Sequence, residues 1–451
     1  MAVHNGVSRW LVAGAIVSTA SLALAGCASS TGSSANSSAS ATGSAKELVE
    51  PTSPITITYA GAAYAADQME PIITAFQKAH PNITVTYESV PFDDFNSVLA
   101  ARLTNSSDAI DVFDVDMPRT AAYVARGWLP DLSNTFGDIS GAVDPGSLEA
   151  ATVDGKLVAM PYQTSTNLMY YNKTLLTAAG IAAPSADPAA RLTWETVTQD
   201  AKKAQAAGAQ YGLLFDQIDR YYQLEPLAIS ADGGPGAKGD GNLEPDITNP
   251  GWVKAFNWYG SLFADGISPR GITVAETPDM FAAGQTAYFV AGPWWAEKFN
   301  AKTDLDFGVT AFPTFDGGTP ATPTGGWALG MNPKASAETA NAAGIFMKFM
   351  GLDDGGYAQY LTALAVPPSN LDGSAKFYDA PAFQDPRFAG VVDLMKSELA
   401  NTATLRLQSV GYVEFEDVMT KTFSDIINGT DATKALEAAT TDLTDAWAKF
   451  K

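Results

Sequence analysis

The sequence predicts an α/β fold with enough chain for two domains. Three observations carry that expectation. Strand-like alternation and helix-like apolar spacing take turns along the chain from Ile55 onward. Roughly 400 residues remain after a low-complexity N-terminal stretch, which suits two domains. No repeat with a period of about 20–50 residues is visible, which argues against a solenoid.

Taken in order, the N-terminus comes first. His4 and Arg9 precede a weakly apolar run from Trp10 to Ala25. These are the parts of a secretion signal, and the run is short for a membrane span. It ends in Leu24-Ala25-Gly26-Cys27, which resembles the bacterial lipobox. Residues 1–26 are therefore expected to be removed and Cys27 to carry the lipid. Residues 27–53, with SSTGSSANSSASATGS at their centre, read as a flexible tether with little to bury.

The body opens with ITITYAG as a strand. DQMEPIITAFQKAHPNI follows as a helix with Met69, Ile72, Ile73 and Phe76 on one face. ITVTYESV, FDDFNSVLAARLTN, DAIDVFDVD and PRTAAYVARG continue the rhythm as strand, helix, strand and helix. This βαβαβα pattern predicts an open sheet with ligand chemistry at the carboxyl ends of its strands. A second series starts with a Thr193-capped helix, TWETVTQDAKKAQAAG, and the strand YGLLFD. Helices at YYQLEPLAISA and WVKAFNWYGSLFADG precede the strands TAYFVAG and LDFGVTAF. The tail is helical, including DGGYAQYLTALA at residues 354–365.

Composition removes several chemistries. Cys27 is the only cysteine, and His80 is the one histidine left after processing. His80 precedes a proline and reads as a surface helix end. A catalytic triad or a zinc site is thereby disfavoured. The net charge of −22 becomes −23 once Arg9 is removed, which opposes nucleic acid and anionic lipid and otherwise reads as solubility. GGPGAKGDG lacks the Lys-Ser/Thr ending of a phosphate loop. DGNLEPD spaces acids alternately but has Pro245 where a calcium loop turns on glycine. No metal or cofactor is expected.

The stretch GKLVAMPYQTSTNLMYYNKTLLTAAGI (155–181) breaks an apolar run at Pro161 with polar residues flanked by aromatics. Read alone, 161–167 is as much an edge-strand loop as a hinge. The stretch resembles the hallmark segment of the family 1 extracellular solute-binding proteins, the carbohydrate receptors of ABC importers. DVFDVDMPRTAAYVARGWLPDLS, MFAAGQTAYFVAGPWWAEKF, DFGVTAFPTFDGG and IINGTDATKALEAATTDL resemble further family segments in the same order. The resemblance implies a two-lobe, type II binding-protein fold with three crossings and a ligand cleft between the lobes. It places lobe 1 at 54–162 and 328–385, and lobe 2 at 163–327 and 386–451. The crossings fall in 161–167, near Gly325-Gly326, and in FQDPRF (383–388).

A polyhydroxylated ligand asks for flat apolar faces and for planar hydrogen-bonding groups. Candidates at the expected strand ends and crossings are Tyr64, Asp116, Tyr162, Ser165, Asn167, Asp219, Tyr221, Tyr222, Trp294, Trp295, Trp327 and Arg406. By the same resemblance Asp116 supplies a carboxylate, Trp294 stacks a sugar ring and Arg406 points into the cleft. Tyr221 and Tyr222 are not expected to face the cleft together. Ser165 stands where many relatives carry an acid, so the identity of the sugar is not transferred. The expected protein is a monomeric, lipid-anchored receptor on the outer face of the cytoplasmic membrane. It would bind an oligosaccharide, deliver it to a permease, and perform no catalysis. A receptor for glycerol phosphate, a polyamine or iron is the alternative within the family. An exported glycoside hydrolase, which needs only two carboxylates and stacking aromatics, is the alternative outside it.

Overall fold

Period-two alternation in β1 (Ile55–Gly61) turns Ile57 and Tyr59 into the protein interior. The computed structural model of the chain describes residues 47–103, 109–353, 356 and 366–451. Helix α1 (Ala66–Ala79) carries the chain from β1 to β2 (Ile83–Ser89) and buries Met69, Ile72, Ile73 and Phe76, the face that its spacing predicts. It stops at His80, whose N–H donates to the Phe76 carbonyl just before Pro81. Strand β3 (Val112–Asp116) is buried at all five positions, and β1 runs parallel to both β2 and β3.

The longer strands that follow are β4 (Met160–Ser165), β5 (Leu168–Asn172), β6 (Tyr211–Phe215), β7 (Thr286–Ala291), β8 (Phe307–Thr310), β9 (Thr322–Met331) and β10 (Ala403–Leu405). They sort into two sheets. The six-stranded sheet has the order β10–β9–β3–β1–β2, with β4 also antiparallel to β9. The four-stranded sheet has the order β8–β5–β7–β6. Each sheet serves its own apolar core. Ile57, Phe113, Met160 and Phe346 belong to the first, and Leu168, Trp194, Phe289 and Phe415 to the second. Helix α2 (Trp194–Ala206) packs on the second sheet and is capped by the Thr193 hydroxyl, which accepts from Thr196 N–H. Among the described residues, no helix is long and apolar enough to cross a membrane.

Several boundaries differ from the sequence expectation. The polar residues after Pro161 do not interrupt a strand, because Met160–Ser165 is one continuous strand of the first sheet. The chain changes sheets only at Thr166-Asn167. Its second passage precedes Thr322, and Gly325-Gly326 lie inside β9 rather than at a crossing. Phe377 and Phe383 already pack in the second core while Val366 packs in the first, so the third passage falls between 366 and 377, ahead of 383–388. The end of the expected tether is also folded. Val49 exchanges two hydrogen bonds with the Asn341 carboxamide (3.0 and 2.7 Å). Glu50 meets His80 Nδ1 at 2.6 Å, and Leu48 fills the space that Gly344 leaves. Cys27, the lipobox and most of the tether lie outside the described residues, as does nearly all of DGGYAQYLTALA.

Candidate functional site

The carboxyl ends of β1, β3, β4, β6 and β7 converge on one cleft of about 430 Å³, lined by residues from both cores. Its first wall is the loop after β1. Asp114, fully buried on β3, accepts hydrogen bonds from the Ala62 and Ala63 N–H groups (2.8 and 3.0 Å) and from the Tyr59 hydroxyl (2.7 Å). Burial pushes its carboxyl above the usual range, and those bonds pull it partly back. The loop thus fixed carries Tyr64, whose hydroxyl donates to Gln163 Oε1. The Tyr87 hydroxyl donates to the Tyr64 carbonyl at 2.6 Å, and it fits only because Gly61 has no Cβ: one would stand 2.3 Å from that oxygen.

The floor is an ion pair. Arg406 meets Asp116 with both arms of its guanidinium, Nη1 at 2.8 Å from Oδ2 and Nη2 at Oδ1. The pair is almost wholly buried, and the guanidinium stacks 5.0 Å above the Tyr222 ring. Gly325 lets the arginine approach, since a Cβ there would sit 3.1 Å from Nη2. The Tyr222 hydroxyl is within 2.7 Å of Ser165 Oγ and accepts from Asn167 Nδ2 at 2.9 Å. Asn167 Oδ1 in turn accepts from Gln223 Nε2 at 2.8 Å. This chain of bonds ties the first passage to helix α3 (Tyr221–Ser230). Beside it, Arg119 pairs with Glu416 through Nε and Nη2 (3.0 and 2.7 Å) and lies 4.5 Å over Phe92. Burial raises the Glu416 carboxyl, opposed by the Arg119 charge.

The far wall follows β7. Trp294 and Trp295 occupy a single turn, Pro293–Trp295, directly after that strand. Trp294 belongs to the chain of the second sheet, yet its ring packs against the first core, whereas Trp295 packs against the second. Trp294 Nε1 donates to Asp216 Oδ2 at 3.0 Å. Trp327 on β9 faces Phe92 edge-on, with centroids 6.0 Å apart. Across the mouth, Arg220 reaches Asp93 at 3.0 Å and stacks 5.7 Å over Phe92.

Of the twelve candidates, Tyr64, Asp116, Ser165, Tyr221, Tyr222, Trp294, Trp295, Trp327 and Arg406 line the cleft. Tyr221 and Tyr222 do so together, against expectation, although Tyr221 is almost wholly buried and its hydroxyl turns away to Glu225 Oε1 (2.8 Å) and the Pro235 carbonyl. Three candidates are not lining residues. Tyr162 is fully buried, with its hydroxyl on Asp114 at 3.1 Å. Asn167 is buried behind Tyr222, and Asp219 sits beside Arg220 (3.4 Å). The lining also includes Gln68, Phe92, Gln163, Gln217, Arg220 and Glu416, which sequence reasoning missed. Gln163 was within reach. Once 160–165 is read as a strand, residues 163 and 165 share a face and Tyr162 takes the opposite one.

Below the floor, Glu225 is buried and its carboxyl is pushed up to about 8, chiefly by desolvation, while the Tyr221 hydroxyl and Arg406 lower it. A carboxyl raised in the fold binds its proton more tightly there than in the unfolded chain. It stabilises the protein below its unfolded value near 4.5, and that stability is lost as pH rises through 8. Unfolding free energy should therefore fall between pH 5 and 8, by on the order of 1 kcal/mol per pH unit from this group. Denaturant melts of Glu225→Gln should show the slope flattened and stability at pH 8 raised; an unchanged slope would assign it elsewhere.

Two cores joined by three passages of the chain, with a cleft walled by side chains of both, define a two-lobed solute-binding protein. The sequence profile of the bacterial extracellular solute-binding proteins matches residues 71–388, and the chain belongs to that family. It is 27% identical over 312 residues to the maltodextrin-binding protein MdxE of Bacillus subtilis, covering 67% of this chain and 70% of that one. It is likewise 27% identical over 259 residues to a binding protein of Brucella abortus, covering 54% and 59% of the two chains. The chain thus spans about three fifths of the length of that relative. The fold is similar to that of the ABC substrate-binding protein Lmo0181 of Listeria monocytogenes, solved in complex with cycloalternan. The TM-score is 0.75 at 20% identity, over 87% of this chain and 98% of that one.

Proposed function

We propose that this protein is a receptor that captures an oligosaccharide by closing its two lobes and hands it, unchanged, to an ABC importer. Monomeric and tethered through a lipid on Cys27, it would work on the outer face of the cytoplasmic membrane. The observation that carries the reading is the cleft wall: Tyr64 and Trp327 from one lobe and Tyr222, Trp294 and Trp295 from the other place aromatic rings along both sides. Such faces stack the C–H surfaces of sugar rings, and a cleft of about 430 Å³ suits a short oligomer. The maltodextrin specificity in the name of the Bacillus relative agrees with this ligand class.

The charges support the same reading over its rivals. Both arginines lining the cleft are already paired, Arg406 with Asp116 and Arg220 with Asp93, which disfavours a phosphate ligand. The lining carboxylates Asp116 and Glu416 are each held by a guanidinium, which suits binding better than acid–base catalysis. Arg220 meets Asp93 and Trp294 packs on the first core, and a ligand that contacts both walls would stabilise the form in which these contacts are made.

The test is a thermal-shift screen of residues 46–451 against di- to tetrasaccharides, with glycerol phosphate, spermidine and Ca²⁺ alongside. A sugar at 100 times its Kd should add about 2.7 kcal/mol, a readily visible shift. Response to phosphate or amine with silence from every sugar would move the ligand class.

A further inference from the structure

We propose that Asp216 is the positioning residue of the cleft: resting on the receptor reading above, its buried carboxylate fixes the plane of the Trp294 indole and so sets ligand affinity without touching ligand. Asp216 directly follows β6, where the chain leaves the second sheet, and its N–H still donates to the Val290 carbonyl of β7 at 2.8 Å. The backbone is therefore anchored to the strand that leads to Trp294. Only 2% of the residue is exposed, and it is not among the lining residues.

The carboxylate faces neutral donors from cleft-forming segments: the Trp294 and Trp295 indoles and the Thr277 hydroxyl. Oδ2 accepts from Trp294 Nε1 at 3.0 Å, and Thr277 Oγ1 lies 3.1 Å from Oδ1. Thr277 Oγ1 also lies 3.0 Å from the Asp216 carbonyl and 2.9 Å from the Val274 carbonyl, so its one proton is shared among three acceptors. Beneath the indole, Gly292 removes the obstacle: a Cβ there would stand 1.8 Å from Trp294 Cζ3. The Gly292 carbonyl is itself fixed by the Tyr170 hydroxyl at 2.9 Å. The ring therefore lies down on bare backbone, and its one polar atom is pinned at its edge.

A buried carboxylate among neutral donors is an expensive way to fill space, because a leucine of similar size would need no desolvation. Burial indeed raises the Asp216 carboxyl to about 6. The arrangement makes sense if the pinned indole is what matters. A Trp side chain has two rotatable bonds, and without the hydrogen bond its ring is free to reorient within the widened notch.

Three variants test this by equilibrium titration with whichever sugar the thermal-shift screen identifies. Asp216→Asn keeps an acceptor for the indole N–H and a donor for Thr277, and should bind within about threefold of wild type. Asp216→Leu should melt at the same temperature or higher and bind at least about tenfold more weakly. The second readout needs no ligand. The Trp294 contribution to emission, obtained by subtracting the Trp294→Phe spectrum in each background, should shift in Asp216→Leu and hold in Asp216→Asn. Should Asp216→Leu fail to fold, Thr277→Val should show the same emission shift. A folded Asp216→Leu that binds like wild type, or a Trp294 emission unmoved by both apolar variants, overturns the proposal. Were the wild type to bind no sugar at all, the receptor reading would fall, and the emission readout would still decide whether Asp216 holds the ring.

Discussion

Replacing Arg406 by methionine is expected to lower the unfolding free energy by about 3–5 kcal/mol, the cost of leaving a buried partner charge unpaired. That partner is Asp116, whose bidentate hydrogen bonds at the cleft floor come from Arg406, with the Arg119 charge nearby. Urea melts measure the loss. The stacking of Arg406 on Tyr222 would go with it, so ligand affinity should fall in the same variant. Adding Asp116→Leu should recover most of the stability, because replacing both partners of a buried pair by apolar groups is often neutral or better. It should not recover affinity. Recovery of both would mean that the pair serves the fold alone, and a loss below about 1 kcal/mol in the single variant would mean that water reaches the floor.

The second large effect is on binding. Trp294→Ala should raise Kd by about 10- to 100-fold, or ~1.4–2.7 kcal/mol, since an aromatic near the centre of a desolvated cleft carries a disproportionate share of affinity. Trp294 is the ring that reaches from the second sheet to the first core, so its loss would remove both the proposed stacking face and a contact between the two cores. Trp447 provides the contrast. It is fully buried in the second core, with Nε1 donating to the Gly411 carbonyl at 2.9 Å. Trp447→Phe should cost stability and leave Kd within about twofold. Calorimetric titration separates the two, and equal Kd values for Trp294→Ala and wild type would remove Trp294 from the site.

Much of the architecture was legible because it rests on local periodicity. The α1 face, the Thr193 cap and the apolar strands follow from local sequence alone, and the family resemblance agrees with the profile match over 71–388. What stayed hidden depends on partners far away in the chain. Pro161 reads as the end of a strand, yet β4 runs through it because β9 shifts register between Trp327 and Ala328, and such an irregularity tolerates a proline in a sheet. Phe377 and Phe383 are apolar enough for either core, so sequence alone does not place the third passage ahead of them. Arg406 was placed at the cleft by resemblance, but nothing near it in sequence reveals a partner 290 residues away. Asp216 looks like an ordinary strand end until Trp294 is folded onto it. Tyr162 is hidden for a simpler reason: next to an apparent break a residue has no defined face, whereas in a strand it has one.

The most direct test of the central claim is calorimetric titration of residues 46–451 with the oligosaccharide that gives the largest thermal shift, followed by chromatography of the recovered sugar. A capturing receptor predicts one binding site per chain, a negative heat-capacity change from closure over apolar rings, and ligand returned intact. A sugar shortened during the titration, or no heat from any oligosaccharide, would contradict it.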